Sequence, residues 1–185
     1  MRIEQRGNLE QVVKIDGTPS GLGWLPDGSM LIVSMDDRRV LKLNSSGLSE
    51  AANLWQVATF KCNDMVVDSR GRAYVGSFGF DFEAMAPFAP GEILLIPPRG
   101  PVRRVVEDMA FPNGLVITPD EKTLIVSETF GERLTAFDIA EDGTLTNRRT
   151  WAKLDGFTPD GLALDSEGCV WVASPVSGGV FRVRE

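Results

Sequence analysis

The chain has 185 residues, 43% of them hydrophobic, enough to build a core, and 19 Lys and Arg against 26 Asp and Glu give a formal charge of −7. No basic run or stripe offers a nucleic-acid backbone a landing site, no apolar run approaches the roughly 20 residues that cross a bilayer, and residues 1–5 lead into no signal-peptide core. Nucleic acid and membrane are therefore not expected as partners, and a soluble, cytoplasmic protein is. Histidine is absent altogether, which removes Ser-His-Asp and Cys-His catalysis, His-ligated zinc and any imidazole base.

In chain order, residues 9–15 read as a short strand with apolar Val12, Val13 and Ile15, unpaired or ring-closing. Residues 21–24 and 30–34 form a hairpin over Pro26-Asp27-Gly28, whose Asp and Gly suit a tight turn, and strands at 39–43 and 48–54 follow. The second group of strands is 64–67, 73–77, 92–96 and 102–106; the third is 114–117, 123–127, 134–139 and 145–152; the fourth is 161–164, 169–174 and 179–183. In the first strands successive residues such as Leu115, Val116 and Ile117, or Leu162, Ala163 and Leu164, are apolar or small, which suits sheets covered on both faces. Cys62 and Cys169 are expected to be buried and reduced rather than paired.

The four groups are copies of one repeat. Each opens on a small polar residue, runs through mostly apolar positions to a polar turn, and resumes as an apolar run ending in Ser. The opening residues Ser20, Asn63, Asn113 and Asp160 are separated by 43, 50 and 47 residues, close to the roughly 40 to 50 residue period of four-stranded propeller blades. The expected fold is an all-β propeller of the six-bladed type, incomplete here: one partial domain over 1–185 with blades near 18–57, 58–108, 109–155 and 156–185. Such an arc has open edges and an uncovered sheet face, so self-association through blade edges, or a fragment of a longer reading frame, is expected.

In a radial repeat the starts of the innermost strands converge on the axis. Ser20, Asn63, Asn113 and Asp160 should therefore gather as hard oxygen ligands for Ca²⁺ or Mg²⁺, with Mn²⁺ or Zn²⁺ as further options; alternatively Asn and Asp there only satisfy turn amides. A loop that follows a second strand returns to the face where the first strand began. The insert 78–91, with Phe78, Phe80, Phe82, Met85 and Phe88, should thus overhang Asn63, either as an aromatic lid or as a segment packed on a neighbouring blade or another subunit. Glu128 lies on the same face, as a compensating ligand or a solvated loop carboxylate, and Asp64 is either a ligand or a strand-start residue bound to backbone amides.

Three ordered motifs carry a resemblance: Pro112-Asn113-Gly114-Leu115 before Thr118-Pro119-Asp120, Asn63-Asp64 before Val67-Asp68 and Gly71-Arg72, and Pro159-Asp160-Gly161 before Asp165-Ser166-Glu167-Gly168-Cys169-Val170-Trp171-Val172-Ala173. Over nearly the whole chain the sequence resembles the gluconolactonase and regucalcin (senescence marker protein) family. The resemblance implies a six-bladed propeller that hydrolyses sugar or related lactones, with a divalent metal in the central channel. Six blades of about 47 residues would need about 280, so the last third is expected to be missing. It also implies that Asn113 and Asp160 are metal ligands, Asp160 being the catalytic acid or base as well, and that Asn63 and Lys61 face the substrate. Where the family has a metal-binding Glu four residues before a Trp, this chain has Ser20 before Trp24, a weaker, neutral ligand. Three readings stay open: a metal-dependent lactonase with a small-molecule substrate, a binding propeller without catalysis, and an inactive fragment.

Overall fold

The computed structural model describes residues 2–3, as backbone, and residues 9–185. The polar lead-in read at residues 1–5 otherwise lies outside the described residues. Strand β1 (Arg2–Ile3) pairs antiparallel with β2 (Leu9–Glu10). Four antiparallel sheets resembling propeller blades follow, each a meander in chain order. The first holds β3 (Pro19–Trp24), β4 (Met30–Ser34), β5 (Arg39–Asn44) and β6 (Gly47–Asn53). The second holds β7 (Cys62–Val67), β8 (Ala73–Ser77), β9 (Gly91–Ile96) and β10 (Arg103–Met109). The third holds β11 (Pro112–Ile117), β12 (Thr123–Glu128), β13 (Arg133–Ile139) and β14 (Leu145–Lys153), with a 3-10 turn at Thr129–Gly131. The three-stranded fourth holds β15 (Leu162–Leu164), β16 (Val170–Ser174) and β17 (Gly179–Val183). No helix among the described residues is long and apolar enough to cross a membrane.

The core is divided between the sheets. One apolar cluster joins the first and second sheets through Val33, Cys62, Met65 and Val75, a second joins the next pair through Tyr74, Ile93, Leu124 and Phe137, and a third joins the last pair through Ile125, Leu134, Val170 and Val172. Both cysteines are buried and free. Burial on both faces holds for β11, where Leu115 and Val116 are buried, but not for β15, where Ala163 is exposed. There, among the described residues, those facing away from the third sheet have no sheet against them, and neither have Leu22 and Trp24 on the first. The strand expected over 9–15 ends at Glu10, because two-residue β1 is the ladder partner it has. Val12, Val13 and Ile15 instead line, with Leu22, Trp24 and Ile32, a cavity of about 510 Å³ on the outward face of the first sheet.

One irregularity recurs and sets up the site. Between Pro19 and Leu22, between Cys62 and Met65, and between Pro112 and Leu115, the innermost strand carries one residue more than its partner strand. A bulge of this kind turns a side chain out of the normal alternation, and here it falls on the opening residues Ser20, Asn63 and Asn113. Glycine follows the opener where two innermost strands meet backbone to backbone. A Cβ on Gly21 would lie 2.6 Å from the Met65 nitrogen, and one on Gly114 would lie 2.6 Å from both the Asp160 carbonyl oxygen and the Leu162 nitrogen. The Ser that ends each repeat is buried, and in the second, third and fourth repeats its hydroxyl bonds the backbone entering a first strand. Ser77 Oγ donates to the Phe60 carbonyl at 3.1 Å, Ser127 Oγ donates to the Asp160 carbonyl at 2.7 Å, and Ser174 Oγ accepts from the Thr158 N–H at 3.2 Å.

Two buried carboxylates fasten the loops that enter the second and third sheets. Glu92 accepts from the Thr59 N–H and hydroxyl and pairs with Arg104 Nε at 2.7 Å. Glu128, fully buried, accepts from the Ala110 N–H at 2.7 Å, from Thr135 Oγ1 and from Arg133 Nε at 2.9 Å, with Arg148 Nη2 at 3.3 Å. This corrects both expectations for Glu128: it is neither a solvated loop carboxylate nor a ligand, because its oxygens are consumed inside the third sheet. Burial opposes its ionisation, yet Arg133, the Ala110 N–H and Thr135 outweigh that and hold the carboxyl below its ordinary value of 4.5.

Two stability predictions follow from these contacts. Gly114→Ala should destabilise by about 1–3 kcal/mol in urea titration, since its new methyl meets backbone on both sides, whereas Gly161→Ala, with nothing within 4 Å, should stay within about 0.5 kcal/mol. Glu128→Ala should cost about 3–5 kcal/mol near neutral pH by stranding buried donors. Because the folded pKa is depressed, that contribution is complete above pH 4.5 and fades as pH falls through the folded value. Urea titrations of both proteins across this range should therefore show the gap narrowing on the acid side.

Candidate functional site

Three of the four openers meet side chain to side chain. Ser20 Oγ donates to Asn63 Oδ1 at 2.6 Å, and Asn63 Nδ2 donates to Asn113 Oδ1 at 2.7 Å. Asn113 Nδ2 donates to Thr129 Oγ1 at 3.3 Å, and that hydroxyl donates to the Pro159 carbonyl at 2.8 Å. A single donor-to-acceptor line therefore crosses from the first sheet to the strand start of the fourth. Asp160 stands next to its end, and its backbone is pinned on three sides: its N–H bonds the Ala173 carbonyl at 2.8 Å, and its carbonyl accepts from Gly114 N–H at 3.1 Å and from Ser127.

Two carboxylates lack compensation at this place. Asp160 is half-buried, and burial pushes its carboxyl above the ordinary 3.8 against one opposing backbone bond at Gly161. Asp64 is raised as well, by burial first and further by the charge of Asp160, although it accepts from the Met65 N–H at 2.8 Å. Among the described residues neither has a basic side chain within salt-bridge distance. Of the two roles expected of Asp64, the bond to a backbone amide is present. Burying two like charges without a counter-ion is costly, and a cation would relieve it.

The oxygens that could hold a metal are those of Asn113, Asp160 and Asp64, with Asn63 and Ser20 as neutral neighbours. Among the described residues no group of three or more His, Cys, Asp or Glu side chains gathers as a metal site. The donor set is two carboxylates with amide and hydroxyl oxygens, which suits a hard cation and not a soft one.

Lys61 lies at the rim. Its ammonium pairs with Glu83 Oε2 at 2.7 Å and Asp36 Oδ1 at 2.9 Å, which hold its pKa well above the ordinary 10.5. It lines a cavity of about 210 Å³ with Phe60, Phe78, Phe82 and Phe111. The insert after β8 folds back toward the axis, as the direction of the strands requires: Phe78 N–H bonds the Lys61 carbonyl at 2.9 Å. Its rings pack on the neighbouring sheet's loops, Phe78 stacking on Phe111 at 4.0 Å and Phe82 meeting Phe130 at 5.7 Å. Phe80 lies between Phe88 and Phe111.

Three residues of this region were not anticipated from the sequence. Thr129 bridges Asn113 to Pro159, while Phe111 and Phe130 complete the aromatic cluster. The signal for Thr129 and Phe130 was present, since they follow a second strand just as Phe78 does. Phe111 owes its place to a left-handed backbone, φ 65°, which no local pattern announces.

The model of the SMP-30/Gluconolactonase/LRE-like region matches residues 1–185. Regucalcin of Gallus gallus is 26% identical over 178 residues, which are 94% of this chain and 60% of that protein. A solved gluconolactonase from Xanthomonas campestris superposes with a TM-score of 0.74 at 26% identity, covering 90% of this chain and 58% of that one. The fold is shared too by the structure of a calcium-binding regucalcin from Agrobacterium tumefaciens, at a TM-score of 0.75 and 23% identity over 92% of this chain and 58% of that one. The chain thus spans less than two thirds of the length of these relatives. Matched by that family's model over residues 1–185, the chain belongs to the SMP-30/gluconolactonase/LRE-like family.

Proposed function

We propose that this chain carries the axial part of a lactone-hydrolysing site that works with a hard divalent cation, Ca²⁺ before Mg²⁺, Mn²⁺ or Zn²⁺. The observation that carries the reading is the uncompensated pair Asp64 and Asp160 beside the amides of Asn63 and Asn113. Membership of a family that includes gluconolactonases supports the choice of reaction.

Asn113 and Asp160 are assigned as the main ligands, Asp64 as a further anionic oxygen, and Ser20 as a weak one. The chemistry supplied by such a cation is Lewis acidity toward the lactone carbonyl and a lower pKa for a neighbouring water. Asp160 takes a proton from the attacking water and returns it to the ring oxygen as the acyl C–O bond breaks. A carboxylate beside a cation is a weak base, so Asp160 serves as ligand and proton relay together. Asn63, oriented by Ser20 and Asn113, and Lys61, with one of its three donors left after Glu83 and Asp36, contact the substrate.

Ca²⁺ should raise the melting temperature of the chain, equivalent to about 2.7 kcal/mol at a hundredfold excess over Kd, and pH-stat assays should show Ca²⁺-dependent acid release from a lactone panel. Asp160→Ala should abolish the thermal shift and lower hydrolysis by about 10²–10⁴-fold. If none of the four cations stabilises the chain, and neither aldonolactones nor homoserine lactones nor alkyl lactones are opened, the proposal fails. Stabilisation without hydrolysis would instead establish the binding propeller. Ser20→Glu, which restores the charged ligand of the family pattern, should tighten Ca²⁺ by about tenfold in a calorimetric titration.

A further inference from the structure

The aromatic cluster beside the axial site has a composition that bears on the substrate. Phe80, Phe82, Met85, Ala86, Phe88 and Phe130 line an open cleft of about 520 Å³, within the roughly 300–1,000 Å³ of small-molecule pockets. Among the described residues its lining has no hydroxyl, amide or charged side chain. Phe82, Met85, Phe88 and Phe130 are largely exposed, an arrangement that costs solubility and is kept where something covers it.

The cleft is tied to the candidate site by short covalent and hydrogen-bonded links. Phe130 follows Thr129, whose hydroxyl holds Asn113, and Phe111 stands two residues before Asn113. Thr129 N–H bonds the Phe111 carbonyl at 3.1 Å, so the two rings, 4.8 Å apart, are fixed relative to the axial amides. Two residues of the cluster also hold left-handed backbone, Phe111 at φ 65° and Met85 at φ 52°. Strain of that kind persists where surrounding structure enforces it and gathers at ligand sites. Lys61, on the neighbouring cavity, is already engaged by Glu83 and Asp36.

We propose that the lactone carries an alkyl or aryl substituent, seated in the Phe80–Phe82–Phe88–Phe130 cleft while the ester lies toward Asn113 and Asp160. The inference rests on the hydrolase reading for the position of the ester. A polyhydroxylated ring would have to strip water from its hydroxyls against phenylalanine faces that return no hydrogen bond, whereas an apolar chain or ring gains by the same burial.

The test compares δ-decanolactone with glucono-δ-lactone, and measures binding of the lactam analogue of the former, which is not hydrolysed. The expected result is a kcat/KM at least about tenfold higher for the decanolactone, with lactam binding. Phe82→Ser and Phe88→Ser replace exposed rings and should fold. Each should weaken the lactam and raise KM for decanolactone by about tenfold, and Phe88→Ser, whose ring does not line the Lys61 cavity, should leave glucono-δ-lactone unchanged. Preferred turnover of glucono-δ-lactone with no lactam binding overturns the inference and leaves the hydrolase reading standing. Lactam binding that these variants weaken, with no lactone opened, supports the apolar site and defeats the hydrolase reading instead. A self-associated wild type that Phe82→Ser or Phe88→Ser renders monomeric, with lactam affinity unchanged, overturns the inference in favour of a second copy as occupant.

Discussion

The placement of Ser20, Asn63 and Asn113 depends on one constraint: the innermost strand of each of the first three sheets has a single extra residue before its ladder becomes regular. That residue removes the opener from strict up-and-down alternation and lets the backbone behind it touch the next sheet. At Gly114 the contact is a hydrogen bond to Asp160 carbonyl as well as a steric fit. The axial amides are thus aimed by main chain, which is stiffer than any rotamer preference. Apolar clusters between sheets supply the bulk of the holding force, and polar clips such as Arg72 Nη1 to the Glu141 carbonyl at 2.9 Å and Ser69 to Glu121 at 2.7 Å set the angle between the second and third sheets.

Polar groups near the axis fall into two populations. The line from Ser20 to Pro159 is neutral and satisfied, each donor pointing onward, an order in which successive bonds polarise one another favourably. Asp64 and Asp160 are acidic and left without a basic partner among the described residues. Elsewhere the same chain compensates buried acids thoroughly, as at Glu92 and Glu128. The contrast between compensated and uncompensated carboxylates within one fold separates the structural acids from the functional candidates.

Much of this was legible beforehand. The repeat gave the strands of all four sheets, and its opening column gave the joined side chains of Ser20, Asn63 and Asn113, because equivalent positions of a radial repeat converge. The return of the insert followed from strand direction alone. What escaped has a common physical origin. The bulge is a register relation between two strands, Phe111 depends on a left-handed φ, and Glu128 is decided by Arg133 and Arg148 on the two following strands. None of these leaves a mark in local periodicity. Residues 9–15 misled for the opposite reason: their apolar pattern suits a strand, but beyond Glu10 they cover a sheet face instead of extending a ladder.

The buried thiol of Cys62, one residue before Asn63, has a further use. Its seat between the first two sheets pushes its pKa up to about 12, so almost no thiolate exists for an electrophile to meet at neutral pH. Alkylation can then proceed only during excursions that hydrate the seam between these sheets. The rate at which Cys62 reacts becomes a native clock for the parting of the blades that carry Ser20 and Asn63.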